Sequence, residues 1–154
     1  MNSAKKVNDL SQNRRARFDY EILETYEAGM ELLGTEVKSV KSGQAGLSGS
    51  FAVAKGEEFW LLNASVPPYQ PKNSPKDYNP LRSRRLLLHK KEIKELIGKT
   101  SERGLTLVPL KLYNKAGKIK ILLGLARNKK KKDKRETIKK RETEREIARE
   151  IKRG

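Results

Sequence analysis

Apolar and polar residues alternate over several short stretches of this chain, a period typical of half-buried β-strands. Residues 18–26 alternate in this way, and a short apolar stretch at 30–33 follows them. Apolar runs at 51–54 and 59–62 flank a turn that contains Gly56, a pattern that predicts a β-hairpin.

Two longer apolar segments, 105–113 and 119–127, predict a further pair of strands around a turn that contains Gly117. Pro109 lacks a backbone N–H, so it places the first of these strands at a sheet edge or at a bulge. Residues 13–127 then hold about six strands. Many short strands with glycine turns favour a mainly β body, a small closed or partly open six-stranded barrel.

Helical periodicity is limited to two short segments of this body. In residues 35–43, Val37 and Val40 give an inner stripe, and Gly43 is a C-terminal stop. Residues 86–97 predict a second helix closed by Gly98. We expect two or three short helices beside the sheet.

Two other segments predict no regular structure. Residues 1–12 are polar and are expected to form a flexible arm. Residues 67–80 hold five of the six prolines and predict a long irregular loop.

Positive charge is concentrated in the last stretch, residues 127–154, which contains 14 Lys or Arg and 6 Asp or Glu. Its only aliphatic side chains larger than Ala are three isoleucines, too few to offset the entropy of ordering the segment. Its residues are mostly good helix formers, and Asp133 stands three before Glu136, a spacing that caps helix starts. We predict a basic tail, 128–154, that is disordered alone and helical when bound to a polyanion.

The whole chain of 154 residues has a formal net charge of +17, and the body is basic as well as the tail. Such a surface favours nucleic acid as partner, because phosphate contacts release condensed counterions. An anionic membrane is a weaker candidate, since no broad apolar face lies opposite the charges. The absence of Cys and of a signal-peptide pattern fits a cytoplasmic protein.

Residues for catalysis are sparse, so an enzyme is the least favoured class. His89 is the only histidine and is interpreted as a structural or surface residue. One His without Cys makes no metal site, and no glycine-rich phosphate loop follows a strand, so we expect no metal and no cofactor. The acids Glu21, Glu24 and Glu27 have no neighbour that would activate them.

Eight short motifs occur in one order along the chain. They are Asn13-Arg14-Arg15-Ala16-Arg17, Tyr26-Glu27-Ala28-Gly29, Glu36-Val37-Lys38-Ser39, Gly43-Gln44-Ala45-Gly46-Leu47, Arg82-Ser83-Arg84-Arg85-Leu86-Leu87-Leu88-His89-Lys90, Leu110-Lys111-Leu112-Tyr113, Gly124-Leu125-Ala126-Arg127 and Asp133-Lys134-Arg135. Together they resemble the small protein B (SmpB) family of SsrA-binding proteins, over roughly residues 13–153.

This resemblance implies a fold and a function. The family body is a β-barrel akin to an oligonucleotide-binding (OB) fold, and it binds the tRNA-like domain of transfer-messenger RNA (tmRNA) at its elbow. The barrel stands in for the missing anticodon arm and faces the small ribosomal subunit. The tail folds as a helix in the empty mRNA channel beyond the decoding centre, so that tmRNA is accepted on stalled ribosomes. A monomer is expected, without a membrane partner.

The resemblance also implies site residues. Those expected to bind tmRNA are Asn13, Arg14, Arg15, Glu27, Lys38, Lys41, Gly43, Gln44, Ala45, Lys118 and Lys120. Those expected to bind the ribosome are Lys129, Lys130, Asp133, Lys134, Arg135, Ile138, Lys139 and Arg141. Glu27 would accept hydrogen bonds from base or sugar donors, because a carboxylate cannot donate to phosphate.

Three positions depart from the family pattern. Lys132 stands where an aromatic residue or His often precedes the Asp-Lys-Arg run, Thr143 replaces an aromatic residue in the tail, and Phe18 replaces a His or Tyr. Cation–π stacking by Arg135 or Arg141 would substitute for the lost aromatic stacking. The alternative function is a structural ribosomal protein, a basic barrel whose tail is threaded through rRNA.

Overall fold

The computed structural model describes residues 7–73, 75–102 and 104–153. The elements, in chain order, are β1 Val7–Gln12, α1 Arg14–Asp19, β2 Tyr20–Met30, α2 Gly34–Lys41, β3 Phe51–Lys55, β4 Glu58–Leu62, a short 3-10 helix Pro71–Asn73, β5 Arg84–Leu87, α3 Lys90–Thr100, β6 Leu105–Lys115, β7 Lys118–Asn128 and α4 Lys131–Arg153. The expectation of a mainly β body with short helices is confirmed. In this part of the chain, no helix combines the length and the apolar character needed to cross a bilayer.

All seven strands belong to one antiparallel sheet in the order β1-β6-β3-β4-β5-β2-β7, and β6 also pairs with β7. The hydrogen-bonded ladder therefore runs from β6 through β3, β4, β5, β2 and β7 and returns to β6. Strand β1 lies outside this ring of six strands, beside the second half of β6.

Strand β1 corrects the predicted arm. Residues 7–12 are mostly exposed and lack a clear alternation, yet they pair with β6 from Val7 opposite Lys115 to Gln12 opposite Lys111. Backbone hydrogen bonds, which the side-chain pattern does not show, hold this strand. Residues 1–6 of the predicted arm lie outside the described part of the chain.

The core fills the ring of strands. Its largest fully buried apolar side chains include Phe59 and Leu61 of β4, Leu112 of β6 and Ile121 of β7. Helices α2 and α3 contribute Val40 and Leu96, both with no exposed surface. A fully buried side chain of this size contributes about 1.5–3 kcal/mol.

Three predicted element boundaries are wrong, and one of them is the predicted stop at Gly98, which lies inside α3. Phe18 is in helix α1, not in a strand, because the Asn13 side chain accepts a hydrogen bond from the Ala16 N–H and starts a helical turn. Residues 86 and 87 belong to β5, not to a helix, and α3 begins only at Lys90. The His89 N–H donates to the Glu92 carboxylate at 3.2 Å, which caps the first turn of α3.

Turn chemistry was easier to predict. The β3–β4 hairpin is present, and Gly56 has a φ of 67°, the left-handed region that glycine adopts without strain. The register of β6 against β7 shifts between Pro109 and Lys111, so the predicted bulge is confirmed. The β6–β7 turn contains Ala116 and Gly117, both with positive φ.

Candidate nucleic-acid interface

An open cleft of about 400 Å³ lies where α2, the end of β2, β5 and the β6–β7 turn meet. Six of the residues that line it are Gly29, Lys41, Leu87, Gly117, Lys118 and Lys120. Three predicted RNA-binding lysines, one from α2 and two from β7, therefore share one surface. The Lys41 ammonium donates to the Gly117 carbonyl at 3.3 Å, which ties α2 to the β6–β7 turn.

Glu27 stands beside this cleft as an ionised acceptor. The Tyr113 hydroxyl donates to its carboxylate, and the Lys115 ammonium lies 3.2 Å from both carboxylate oxygens. The Tyr113 hydrogen bond, followed by Lys115 and the charge of Lys120, lowers the pKa of Glu27. Its side chain is 38% exposed, so spare carboxylate lone pairs face solvent. Burial and the neighbouring Glu27 carboxylate raise the pKa of Tyr113.

Leu87 is a cleft residue that the sequence interpretation missed. It is 45% exposed, and its Cβ would lie 3.3 Å from a Cβ built on Gly29. The small Gly29 thus lets Leu87 stand over the end of β2. The sequence of β5 contains no signal for it, because two arginines precede two leucines without alternation. Only the structure shows that Arg84 and Leu86 are buried while Leu87 faces out.

The predicted N-terminal RNA-binding group divides into two kinds of residue. Asn13 is 4% exposed, and its amide donates to the Leu47 and Pro109 carbonyls at 3.2 and 2.8 Å. Because its oxygen also caps α1, this side chain has a structural role and is not available to RNA in this conformation. Arg14 and Arg15 are exposed, and Arg15 pairs with Asp19 at 2.9 Å.

The predicted loop offers few side chains to a ligand. Gly43 ends α2 with a φ of 80°, and Gln44 is exposed. Ala45 is 8% exposed, and its carbonyl accepts a hydrogen bond from the Ser11 hydroxyl at 3.0 Å. Ala45 therefore fixes the loop against β1, and its side chain does not face outward.

Helix α2 is anchored by a buried carboxylate that the sequence interpretation did not identify. Glu36 is 1% exposed and accepts hydrogen bonds from the Leu33 N–H, from both Arg82 and Arg84, and from the Tyr78 hydroxyl. Burial alone would raise the pKa of Glu36, but the two guanidinium groups outweigh it and hold this pKa at about 2. Arg84 is itself 1% exposed. This ion pair fixes the helix that carries Lys38 and Lys41.

The tail forms helix α4, and its first turns rest on α1. The Lys134 ammonium lies 3.3 Å from Asp19, and both Lys134 and Arg141 lie over the Phe18 ring, at 5.9 and 5.8 Å from its centroid. The Lys129 ammonium donates to the Arg17 carbonyl at 3.2 Å.

The other predicted tail residues show how much of α4 faces outward. Arg135, Ile138 and Lys139 are exposed. Lys130 lies just before the helix and accepts a backbone hydrogen bond from Lys134. Helix α4 begins at Lys131, so Asp133 lies within the helix and is not the capping residue that its spacing to Glu136 predicted. The Asp133 side chain lies outside the described part of the structure.

Several known proteins are similar to this chain over almost its whole length. The family model described as SmpB protein matches residues 10–153. An SsrA-binding protein of Thermosynechococcus vestitus is 54% identical over 143 residues, 93% of this chain and 94% of the relative. One of Ligilactobacillus salivarius is 53% identical over 150 residues, 97% of this chain and 96% of the relative.

A solved structure gives the same result. A chain described under "tmRNA-SmpB: a journey to the center of the bacterial ribosome" has a TM-score of 0.65 and 52% identity to this chain. The match covers 82% of this chain and 92% of that one. With the family model spanning almost the whole sequence, the predicted resemblance is confirmed, and this chain belongs to the SmpB protein family.

Proposed function

We propose that this chain binds the tRNA-like domain of tmRNA and delivers it to stalled ribosomes in trans-translation. The observation that carries the proposal is the cleft in which Lys41, Lys118 and Lys120 meet, in a chain that belongs to the SmpB family. Relatives over 93% or more of its length are SsrA-binding proteins, and a similar chain occurs in a structure of tmRNA-SmpB on the ribosome.

The cleft and the neighbouring Glu27 together offer three kinds of contact that suit a folded RNA. Its lysines supply cations for phosphate oxygens, which give affinity without sequence preference. Glu27 accepts hydrogen bonds from base or sugar donors, and Leu87 offers an exposed apolar side chain to an unstacked base. We infer that the closed ring of strands acts as a small OB-like barrel that holds these groups in place.

The tail supplies a second RNA-binding surface. Helix α4 has 23 residues, so it is about 35 Å long at ~1.5 Å per residue. Beyond Thr137, its described side chains are all exposed, and an isolated helix of this kind is marginal in water. We infer that the distal part of α4 is disordered in the free protein and becomes ordered in the vacant mRNA channel near the decoding centre.

This proposal divides the chain into a body, 13–127, and a tail, 128–154, and places the protein in the cytoplasm with the ribosome. It includes no catalytic step. The body acts as a monomer that binds one RNA, and the tail reports that no message occupies the channel.

Truncation after Arg127 separates the two surfaces. We expect the truncated protein to bind tRNA-like RNA with an affinity within a few-fold of the full chain, because the cleft residues all remain. The same protein should fail to support tagging of nascent chains on stalled ribosomes. Loss of RNA affinity on truncation would contradict the two-surface model, and full tagging activity would contradict the role of the tail.

A further inference from the structure

A second, smaller recess of about 70 Å³ lies between α2 and the proline-rich loop. Six of its lining residues are Thr35, Lys38, Pro67, Pro68, Tyr69 and Gln70. The expected RNA-binding set included Lys38 but no residue of this loop.

The loop that forms the recess is held firmly to the body. The Ser39 hydroxyl donates to the Pro67 carbonyl at 2.6 Å. The Tyr78 hydroxyl, whose one proton is shared with Glu36, lies 2.7 Å from the Val66 carbonyl. Pro67 and Pro68 fix their own φ angles and restrict the backbone in front of Tyr69. Tyr69 is therefore presented from a rigid support.

Tyr69 is unusual for an aromatic residue because it is 42% exposed. Among the described residues, neither its hydroxyl nor the exposed Lys38 ammonium has a hydrogen-bond or ion-pair partner. An aromatic face beside an unpaired cation is the combination that single-stranded nucleic acids bind, with a base stacked on the ring and a phosphate on the cation.

We propose that this recess binds an unpaired nucleobase of the same RNA that occupies the cleft, with the base stacked on Tyr69 and its phosphate on Lys38. This inference rests on the proposed function and adds a contact to it. Lys38 and Lys41 are three residues apart on α2, so their side chains are neighbours on the helix surface. The recess and the cleft are thus two parts of one surface that passes over α2.

The size of the recess determines how the base binds. An enclosed cavity that holds a benzene ring has about 150 Å³, roughly twice the volume found here. The base therefore lies over the Tyr69 ring with one face in solvent and is not enclosed. Stacking of this kind has no strong preference for one base. The Thr35 and Gln70 side chains also line the recess.

The test compares the full-length chain with Tyr69→Ala and Tyr69→Phe in binding to a tRNA-like RNA at several salt concentrations. Tyr69→Ala should weaken binding by about 10- to 100-fold, since base–aromatic stacking contributes that much. It should leave the dependence of log Kd on log salt unchanged, whereas Lys38→Ala should reduce that slope by about one unit. Tyr69→Phe keeps the ring and should bind within about twofold of the unchanged chain.

Leu81→Ala is the matched control, because Leu81 is 51% exposed in the following turn and does not line the recess. It should not alter Kd, and thermal melting should show all variants folded. Equal affinity of Tyr69→Ala and the unchanged chain overturns the recess proposal alone. Equal losses in Tyr69→Ala and Tyr69→Phe also overturn it, because stacking would not explain them. Failure of the unchanged chain to bind this RNA overturns the proposed function itself.

Discussion

Replacing Glu36 with Gln tests whether the buried ion pair holds α2 in place. The substitution keeps the shape of the side chain but removes its charge, while Arg84 stays buried with 1% of its surface exposed. The new amide NH₂ is a hydrogen-bond donor, and it would face two guanidinium groups and a tyrosine hydroxyl that are donors as well. Breaking a buried pair from one side costs about 3–5 kcal/mol, so we expect the free energy of unfolding at pH 7 to fall by that amount.

The pH dependence gives a second measure of the same interaction. Folding lowers the pKa of Glu36 from the 4.5 of a free glutamate to about 2, so its stabilising contribution is complete above pH 4.5 and is lost as the pH falls toward 2. One pKa unit corresponds to about 1.36 kcal/mol, so the full contribution is about 3 kcal/mol, and about 2 kcal/mol of it disappears between pH 6 and pH 3.

Urea unfolding of the unchanged chain and of Glu36→Gln at pH 6 and pH 3 measures both effects. The difference between their free energies of unfolding should shrink by about 2 kcal/mol on acidification. Glu57→Gln is the control, because Glu57 is exposed in the β3–β4 turn and should cost less than about 0.5 kcal/mol at either pH. A difference that stays constant between the two pH values would refute the proton linkage, and a cost below about 1 kcal/mol at pH 7 would refute the buried-pair argument.

Four further predictions concern RNA binding by Glu27, two glycine substitutions and the isolated tail. Glu27→Ala should weaken binding of tRNA-like RNA by about tenfold or more, since the loss of a hydrogen-bond acceptor outweighs the removal of a negative charge. The control Glu57→Ala should not weaken binding. Tighter binding by Glu27→Ala in a titration would contradict the hydrogen-bonding role. Gly124→Ala should lower the free energy of unfolding by about 1–3 kcal/mol, because its Cβ would lie 3.1 Å from Leu110. Gly98→Ala, with open space inside α3, should raise it by up to about 1 kcal/mol in the same urea assay. A peptide of residues 128–154 should show little helix by circular dichroism alone and more with RNA, and a stable helix without RNA would contradict the proposed ordering.

Prediction from the sequence worked best where one local rule decides the structure. The glycine turn of the β3–β4 hairpin and the bulge at Pro109 follow from backbone constraints that one or two residues impose. The lysines of the cleft were expected from the family resemblance, and the structure brings Lys41, Lys118 and Lys120 to one surface.

Prediction failed where a distant part of the chain decides the structure. Strand β1 depends on a backbone ladder with β6, about 100 residues later, and its side chains carry no strand period. Residues 86 and 87 of β5 were mistaken for the start of a helix, because a buried arginine at position 84 hides the alternation of the strand. That burial requires Glu36, 48 residues away, which no local pattern could pair with it.

Asn13 shows the limit of inference from motifs. The family resemblance implied an RNA contact for it, but its side-chain amide connects α1, the Leu47 carbonyl and the Pro109 carbonyl. The neighbouring Arg14 and Arg15 do face solvent. A family motif therefore includes residues that stabilise the fold as well as residues that can contact a ligand. The structure is needed to distinguish the two kinds.

The most direct test of the account is to identify the RNA that remains bound to the full-length protein when it is purified from cells at elevated salt. Binding through phosphate contacts alone weakens by about 10³- to 10⁵-fold between 50 and 200 mM salt, so only an RNA held by additional contacts should remain. The account predicts one dominant species that contains a tRNA-like domain, and its loss when Lys41, Lys118 and Lys120 are replaced together. Recovery of ribosomal RNA alone, or of a heterogeneous mixture that the three substitutions do not change, would contradict it.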